Sequence, residues 1–186
     1  MGCHPAVASY VLPTLLEKMN VQAPGIELEL FHDFSRKIVE RIVTFELDLA
    51  YVVNPIRHPE LVLVKLGEDR ISFWNRRGLK NPPKRLLADA NRAEIEPLLG
   101  RVRARTFGDF TLLQTSSLEL IRTLTLDGQG VGILPERVAL ADSDGLVPFD
   151  ERLPGQPDEI FLAYRKEAMT SRAAKALLEM ARVKLV

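Results

Sequence analysis

Apolar positions recur along this chain with two periods, and the switches between them outline a succession of helices and strands. From Pro5 to about Met19, residues Val7, Val11, Leu15 and Met19 fall on one helical face. Pro13 lies inside that segment and is expected either to kink it or to mark the start of its regular part. After a turn at Pro24-Gly25, Ile26, Leu28 and Leu30 alternate with Glu27 and Glu29, the pattern of a half-buried strand. Asp33 or Ser35 is placed to cap a second helix carrying Ile38, Val39, Ile42 and Val43. Leu47 to Val53 is a nearly continuous apolar run, as a strand covered on both faces would be. Asn54-Pro55 ends it with a turn signal. Leu61 to Leu66 and Ile71 to Trp74 read as two further strands around Gly67-Glu68-Asp69.

From Arg76 the pattern becomes basic and turn-rich, and Leu86 to Ala90 and Glu94 to Leu99 suit short helices. Arg103 to Phe107 and Thr111 to Gln114 suit strands split by Gly108-Asp109. In an extended segment Arg101, Arg103 and Arg105 would share one face, either a solvated stripe or an anion-selective wall. Ser116 and Glu119 then stand at capping-box spacing, before Leu118, Ile121 and Leu124 on one helical face. Gly128 is a natural left-handed stop. Val131 to Leu134 follows as a short apolar strand, Glu136 to Ala141 as a turn of helix, and Gly145 to Phe149 as an edge strand. Pro154-Gly155-Gln156-Pro157 reads as a linker, Glu159 to Tyr164 as a strand, and Ser171 to Lys184 as a closing helix. Alternating strands and helices predict an α/β protein with largely parallel sheets.

Composition narrows the function. The 186 residues are 46% hydrophobic and 27% charged, enough to bury a core as one domain or two small lobes. Lys plus Arg and Asp plus Glu are both 25, which removes the basic footprint of a stand-alone nucleic-acid binder. The single Cys3 excludes an internal disulfide and a multi-cysteine metal site, and fits a reducing compartment. With neither a signal-peptide pattern nor a membrane-length apolar run, a soluble cytoplasmic protein is expected.

Chemistry-bearing motifs are few. His4, His32 and His58 are scattered without metal-ligand spacing, so no metal is expected. Gly128-x-Gly130-x-Gly132 follows a helix and precedes a strand, the reverse of a dinucleotide loop, so no cofactor is expected either. Cys3 and His4 would point to opposite faces of a strand and lack a third partner. No catalytic residue is assigned.

Four segments carry a resemblance, in this order and spacing. They are Gly2-Cys3-His4-Pro5 with Tyr10 to Leu16, Glu46 to Val53, Thr115 to Ile121 with Leu126 to Glu136, and Ile160 to Arg165. Together they resemble the effector-binding domain of the LysR-type transcriptional regulators. The resemblance implies a two-lobed α/β fold like the type II periplasmic binding proteins, with mostly parallel sheets and two crossover segments. Residues 1–74 plus 158–186 would form one lobe and 75–157 the other, with hinges at Arg76 to Gly78 and Pro154 to Pro157. It implies effector sensing, in which a small polar or anionic molecule held between the lobes modulates transcription, and a homodimer. DNA would be reached only through a winged helix-turn-helix and linker helix that these residues do not include. The first strand is also shorter than the family's, reduced to Met1-Gly2-Cys3. A solute-binding protein for transport, or an enzyme on the same scaffold, is the alternative.

By that resemblance His4 at one helix start and Ser116 and Ser117 at another face each other across the effector cleft. Phe34 and Ser35 follow the second predicted strand and Asn54 the third, and ligands of open α/β sheets bind at such ends. Each also has a plain reading: capping for His4, Ser35, Ser116 and Ser117, packing for Phe34, and a turn for Asn54.

Overall fold

The structure, a computed structural model, describes residues 1–92, 95–105, 110–141, 145–153 and 155–185. It opens with β1 (Gly2–Cys3), α1 (Pro5–Gln22), β2 (Phe31–His32), α2 (Ser35–Val43), β3 (Leu49–Val53) and β4 (Val62–Arg76). Next come β5 (Arg85–Ala88), α3 (Ile95–Arg105), β6 (Thr111–Gln114), α4 (Leu118–Leu126), β7 (Val131–Pro135), α5 (Glu136–Ala139) and β8 (Leu146–Pro148). The chain closes with β9 (Gln156–Tyr164) and α6 (Arg172–Ala181). These elements form an α/β fold in two units, Met1–Glu68 with Asp158–Val186, and Asp69–Pro157. β4 and β9 are the two strands that pass from one unit to the other.

In the first unit β2, β1 and β3 are parallel neighbours, with Gly2 opposite Phe31 on one side and Ala50 on the other. β9 runs antiparallel to β3, pairing Leu49 with Tyr164 and Val53 with Ile160. Strand alternation sends Leu49, Tyr51 and Val53 to one apolar cluster and Ala50 and Val52 to another. That two-sided burial is why β3 contains no charged residue. Val7, Val11 and Leu15 of α1 pack in the first cluster with Leu177 and Leu178 of α6. Each fully buried side chain of this kind contributes roughly 1.5–3 kcal/mol over its exposed state. Ile38, Val39 and Ile42 of α2 pack in the second. The helix lies so close to the sheet that a Cβ at Gly2 would sit 2.8 Å from Ile38 Cγ2. α1 continues through Pro13 to Gln22, because removing one N–H does not outweigh that buried stripe.

In the second unit β6, β5 and β7 are parallel, and the later half of β4 is antiparallel to β7 and β8. Ile95, Leu98 and Leu99 of α3 pack with Phe73, Leu86 and Ile133. Ile121 of α4 packs with Trp74, Leu87 and Leu134. Gly132 makes that second contact possible, since a Cβ there would strike Thr125 Oγ1. α4 ends as expected at Gly128, whose φ is 73°. Gly128 N–H donates to Thr125 O at 3.0 Å and Gln129 N–H to Leu124 O at 2.9 Å, the paired bonds of a Schellman stop.

Several local expectations are corrected. Gly67 is not a turn: β4 runs unbroken through it, and a Cβ there would meet Leu185 O at 2.6 Å. Leu86 to Ala88 are strand rather than helix, because β5 is central, between β6 and β7, and apolar on both faces. Residues 103–105 are the end of α3 rather than a strand, so Arg101, Arg103 and Arg105 do not share a strand face. Phe107 and Gly108-Asp109 lie outside the described residues. Ile26 to Leu30 form no strand; the two-residue β1 offers a ladder only to Phe31–His32. Gln156 and Pro157 belong to β9 rather than to a linker, and Pro154 is outside the described residues.

Candidate functional site

In the first unit β1, β2 and β3 are parallel, so their carboxyl ends and the starts of α1 and α2 share one edge of the sheet. That edge is where open α/β sheets hold ligands. His4 leaves β1 as the N-cap of α1 and is 5% exposed. Its Nδ1 accepts from Ala6 N–H at 3.2 Å, which places the proton of the neutral ring on Nε2. Val7 and Ala8 N–H donate to His4 O, and Pro5 has no N–H. The donors of the α1 start are therefore already committed, and this helix end is no open anion nest.

The α2 start differs. Phe34 is its N-cap and makes no side-chain capping bond, so neither Asp33 nor Ser35 caps this helix. Asp33 instead accepts from Phe34 N–H at 2.7 Å. Ser35 Oγ accepts from Val53 N–H at 2.8 Å, which ties the helix start to the end of β3. An accepting hydroxyl still has its own hydrogen to give. Among the described residues, that hydrogen and the N–H groups of Arg36 and Lys37 have no acceptor. The half-buried Phe34 ring lies 6.2 Å from the His4 ring, tilted by 58°. A donor-rich helix end, flanked by two rings, is thus assembled from residues of two strand ends.

Asn54 is placed otherwise. It takes the left-handed conformation, φ 44°, and clasps β9. Its Oδ1 accepts from Glu159 N–H at 2.8 Å, and its Nδ2 donates to the buried Asp158 carboxylate at 2.9 Å. Both ends of the amide serve the join between β3 and β9.

In the second unit Ser117, not Ser116, is the N-cap of α4. Its Oγ accepts from Leu120 N–H at 3.1 Å, which displaces the expected Ser116–Glu119 box by one residue. Ser116 is exposed and makes no side-chain hydrogen bond among the described residues. The turn is held from β5, where Ala88 O accepts from Thr115 N–H at 3.1 Å. Beside it the sequence reading missed Asp89 and Asn91. Asp89, 2% exposed, accepts from Asn91 N–H at 3.2 Å. Asn91 Oδ1 in turn accepts from Gln114 Nε2 at 3.5 Å. Once Leu86–Ala88 is taken as strand, Asp89 becomes a strand-end residue; the helical reading hid that.

Cys3 is fully buried, its Sγ directed at His4 O at 3.6 Å, and burial pushes the thiol up to about 12. A thiol held protonated is a poor nucleophile. Among the described residues no group of three His, Cys, Asp or Glu side chains could hold a metal ion. No described helix is long and apolar enough to cross a membrane.

Comparison with known proteins places this geometry. Residues 1–185 match the family described as LysR substrate binding domain. The HTH-type transcriptional regulator SoxR of Arthrobacter sp. (strain TE1826) is 24% identical over 179 residues, covering 90% of this chain and 61% of that protein. The phosphonates import ATP-binding protein PhnC of Anaeromyxobacter dehalogenans (strain 2CP-C) is 22% identical over 201 residues, covering 100% of this chain and 40% of that protein. The chain thus spans less than two thirds of either curated relative. The apo-form regulatory domain of HypT from Salmonella typhimurium has the same fold, with a TM-score of 0.78 at 18% identity over 97% of this chain and 91% of that one.

Proposed function

The chain belongs to the LysR substrate binding domain family, and from that premise we propose that it senses a small organic anion and regulates transcription through a DNA-binding segment outside these residues. The transcriptional part is supported by the relative named as an HTH-type regulator, of which this chain corresponds to 61%. Balanced charge, with 25 basic and 25 acidic residues, fits a sensing domain better than a DNA reader. The regulator would work in the cytoplasm, where DNA is.

The observation that carries the ligand class is the α2 start. Ser35 has a hydroxyl hydrogen to donate, Arg36 and Lys37 present unbonded N–H groups, and Phe34 supplies an apolar wall. The positive end of a helix dipole favours an anion at such a place. His4 lines the same edge as a neutral ring, and Asn54 shapes it through the β9 clasp rather than by touching ligand. In the second unit the α4 start offers an anion another helix N-terminus, with the Ser116 hydroxyl exposed and Ser117 ordering the turn. Signalling requires that the effector favour one of two conformations of the full regulator.

The test is a thermal-shift panel of small carboxylates together with methylphosphonate, the class named for one relative. A ligand at one hundred times its Kd stabilises by about 2.7 kcal/mol, roughly 5–10 °C for a chain of this size. Ser35→Ala should reduce the ligand-induced increment, read against its own ligand-free Tm because Val53 N–H loses its acceptor. Ser116→Ala with Ser117→Ala tests the α4 start of the second unit separately. No stabilisation by any anion, or an increment unchanged in both variants, would remove this reading.

A further inference from the structure

Beyond the end of β3 the first unit carries a separate hollow of about 490 Å³, within the range of small-molecule sites. Its apolar wall is Leu61, Leu63 and Phe161, all half-buried and packed against the α2 cluster. Asn54, Arg57 and His58 are its polar lining residues, and the acidic one is Glu159. Glu159 accepts from Lys65 Nζ at 2.5 Å, a cation it shares with Glu68, also at 2.5 Å. The next acid along the turn, Glu60, is drawn away to Arg165 at 2.8 Å. Arg57 has no ion pair among the described residues. His58 Nδ1 accepts from Glu60 N–H at 3.3 Å, so the neutral ring carries its hydrogen on Nε2 as a donor. The hollow therefore combines one unspent cation, one ring N–H and an apolar wall.

We propose that this hollow is a second small-molecule site, distinct from the α2 start, for a monocarboxylic acid with a compact apolar body. The carboxylate meets the Arg57 guanidinium and the His58 N–H; the body lies on Leu61, Leu63 and Phe161. A planar guanidinium matches a carboxylate's two oxygens, which favours a carboxylate over a neutral polar group. A dicarboxylate fits poorly, because its second charge would lie against the apolar wall without a partner.

The experiment is methyl-resolved NMR of the leucine-labelled chain titrated with cyclohexanecarboxylate, with cyclohexylmethanol as the neutral counterpart. Saturable shifts of the Leu61 and Leu63 methyl groups are expected with the acid and not with the alcohol. The exposed Arg57→Gln variant should weaken the acid about tenfold while its ligand-free spectrum stays intact. Ser35→Ala, in the effector site proposed above, should leave this affinity unchanged. Equal shifts with the alcohol, or equal affinity in Arg57→Gln, would overturn the proposal. So would shifts confined to residues around Ser35, an outcome that would leave the α2 reading standing.

Discussion

Asn54 offers the sharpest separation between holding the fold and touching a ligand. In Asn54→Ala three losses coincide. The bond to the Asp158 carboxylate, whose residue is 2% exposed, is charge-assisted and contributes about 1.5–3 kcal/mol. The bond from Glu159 N–H, beside an exposed side chain, contributes about 1 kcal/mol. Alanine at φ 44° adds a left-handed penalty of about 1 kcal/mol that asparagine tolerates. The expected cost is therefore about 3.5–5 kcal/mol. Asn54→Gly removes the same two bonds without the Cβ strain, so it should fall about 1 kcal/mol short of Asn54→Ala. Urea unfolding followed by circular dichroism measures both, provided the slopes match that of the parent chain. A loss below about 1 kcal/mol in Asn54→Ala would mean that water replaces the clasp. A larger loss in the glycine variant would refute the backbone argument.

Three further outcomes follow from the same structure. Burial raises the Asp69 carboxyl above its ordinary 3.8, so the folded chain holds that proton where the unfolded chain has released it. The stability of the parent chain relative to Asp69→Asn should fall as pH rises from 3.8 through the raised folded value, then level off; melting curves of both across pH 3–6 show it. Cys3, held near 12 and fully buried, should resist a thiol reagent in the native chain and react only at the rate of unfolding. Leu16 and Val21 leave α1 with apolar side chains 42% and 82% exposed, and a homodimer through this helix would cover them. Light scattering should then give about twice 20.9 kDa, and Leu16→Glu should return the monomer; a monomer at every concentration would reject the dimer.

What the sequence determined by itself was mainly what local periodicity encodes. The α1 stripe from Val7 to Met19, the two-sided β3 and the Gly128 stop are each settled by residues within about one turn or pleat of one another. The order of the four family-like segments was enough to expect an α/β fold with two crossover segments, and the match over residues 1–185 agrees. Tertiary structure decided the rest, wherever the partner lies far along the chain. β5 is a strand because β6 and β7 flank it; four apolar residues alone do not distinguish that from a buried helix. Gly67 is small because the tail at Leu185 crosses β4 there, a partner well over a hundred residues away. Ser35 belongs to Val53 and Asn54 to Glu159 rather than to their own caps and turns. A side chain's local bonding options are written in its neighbours, but which option is taken depends on what the sheet brings beside it, and that is set only when the strands pair.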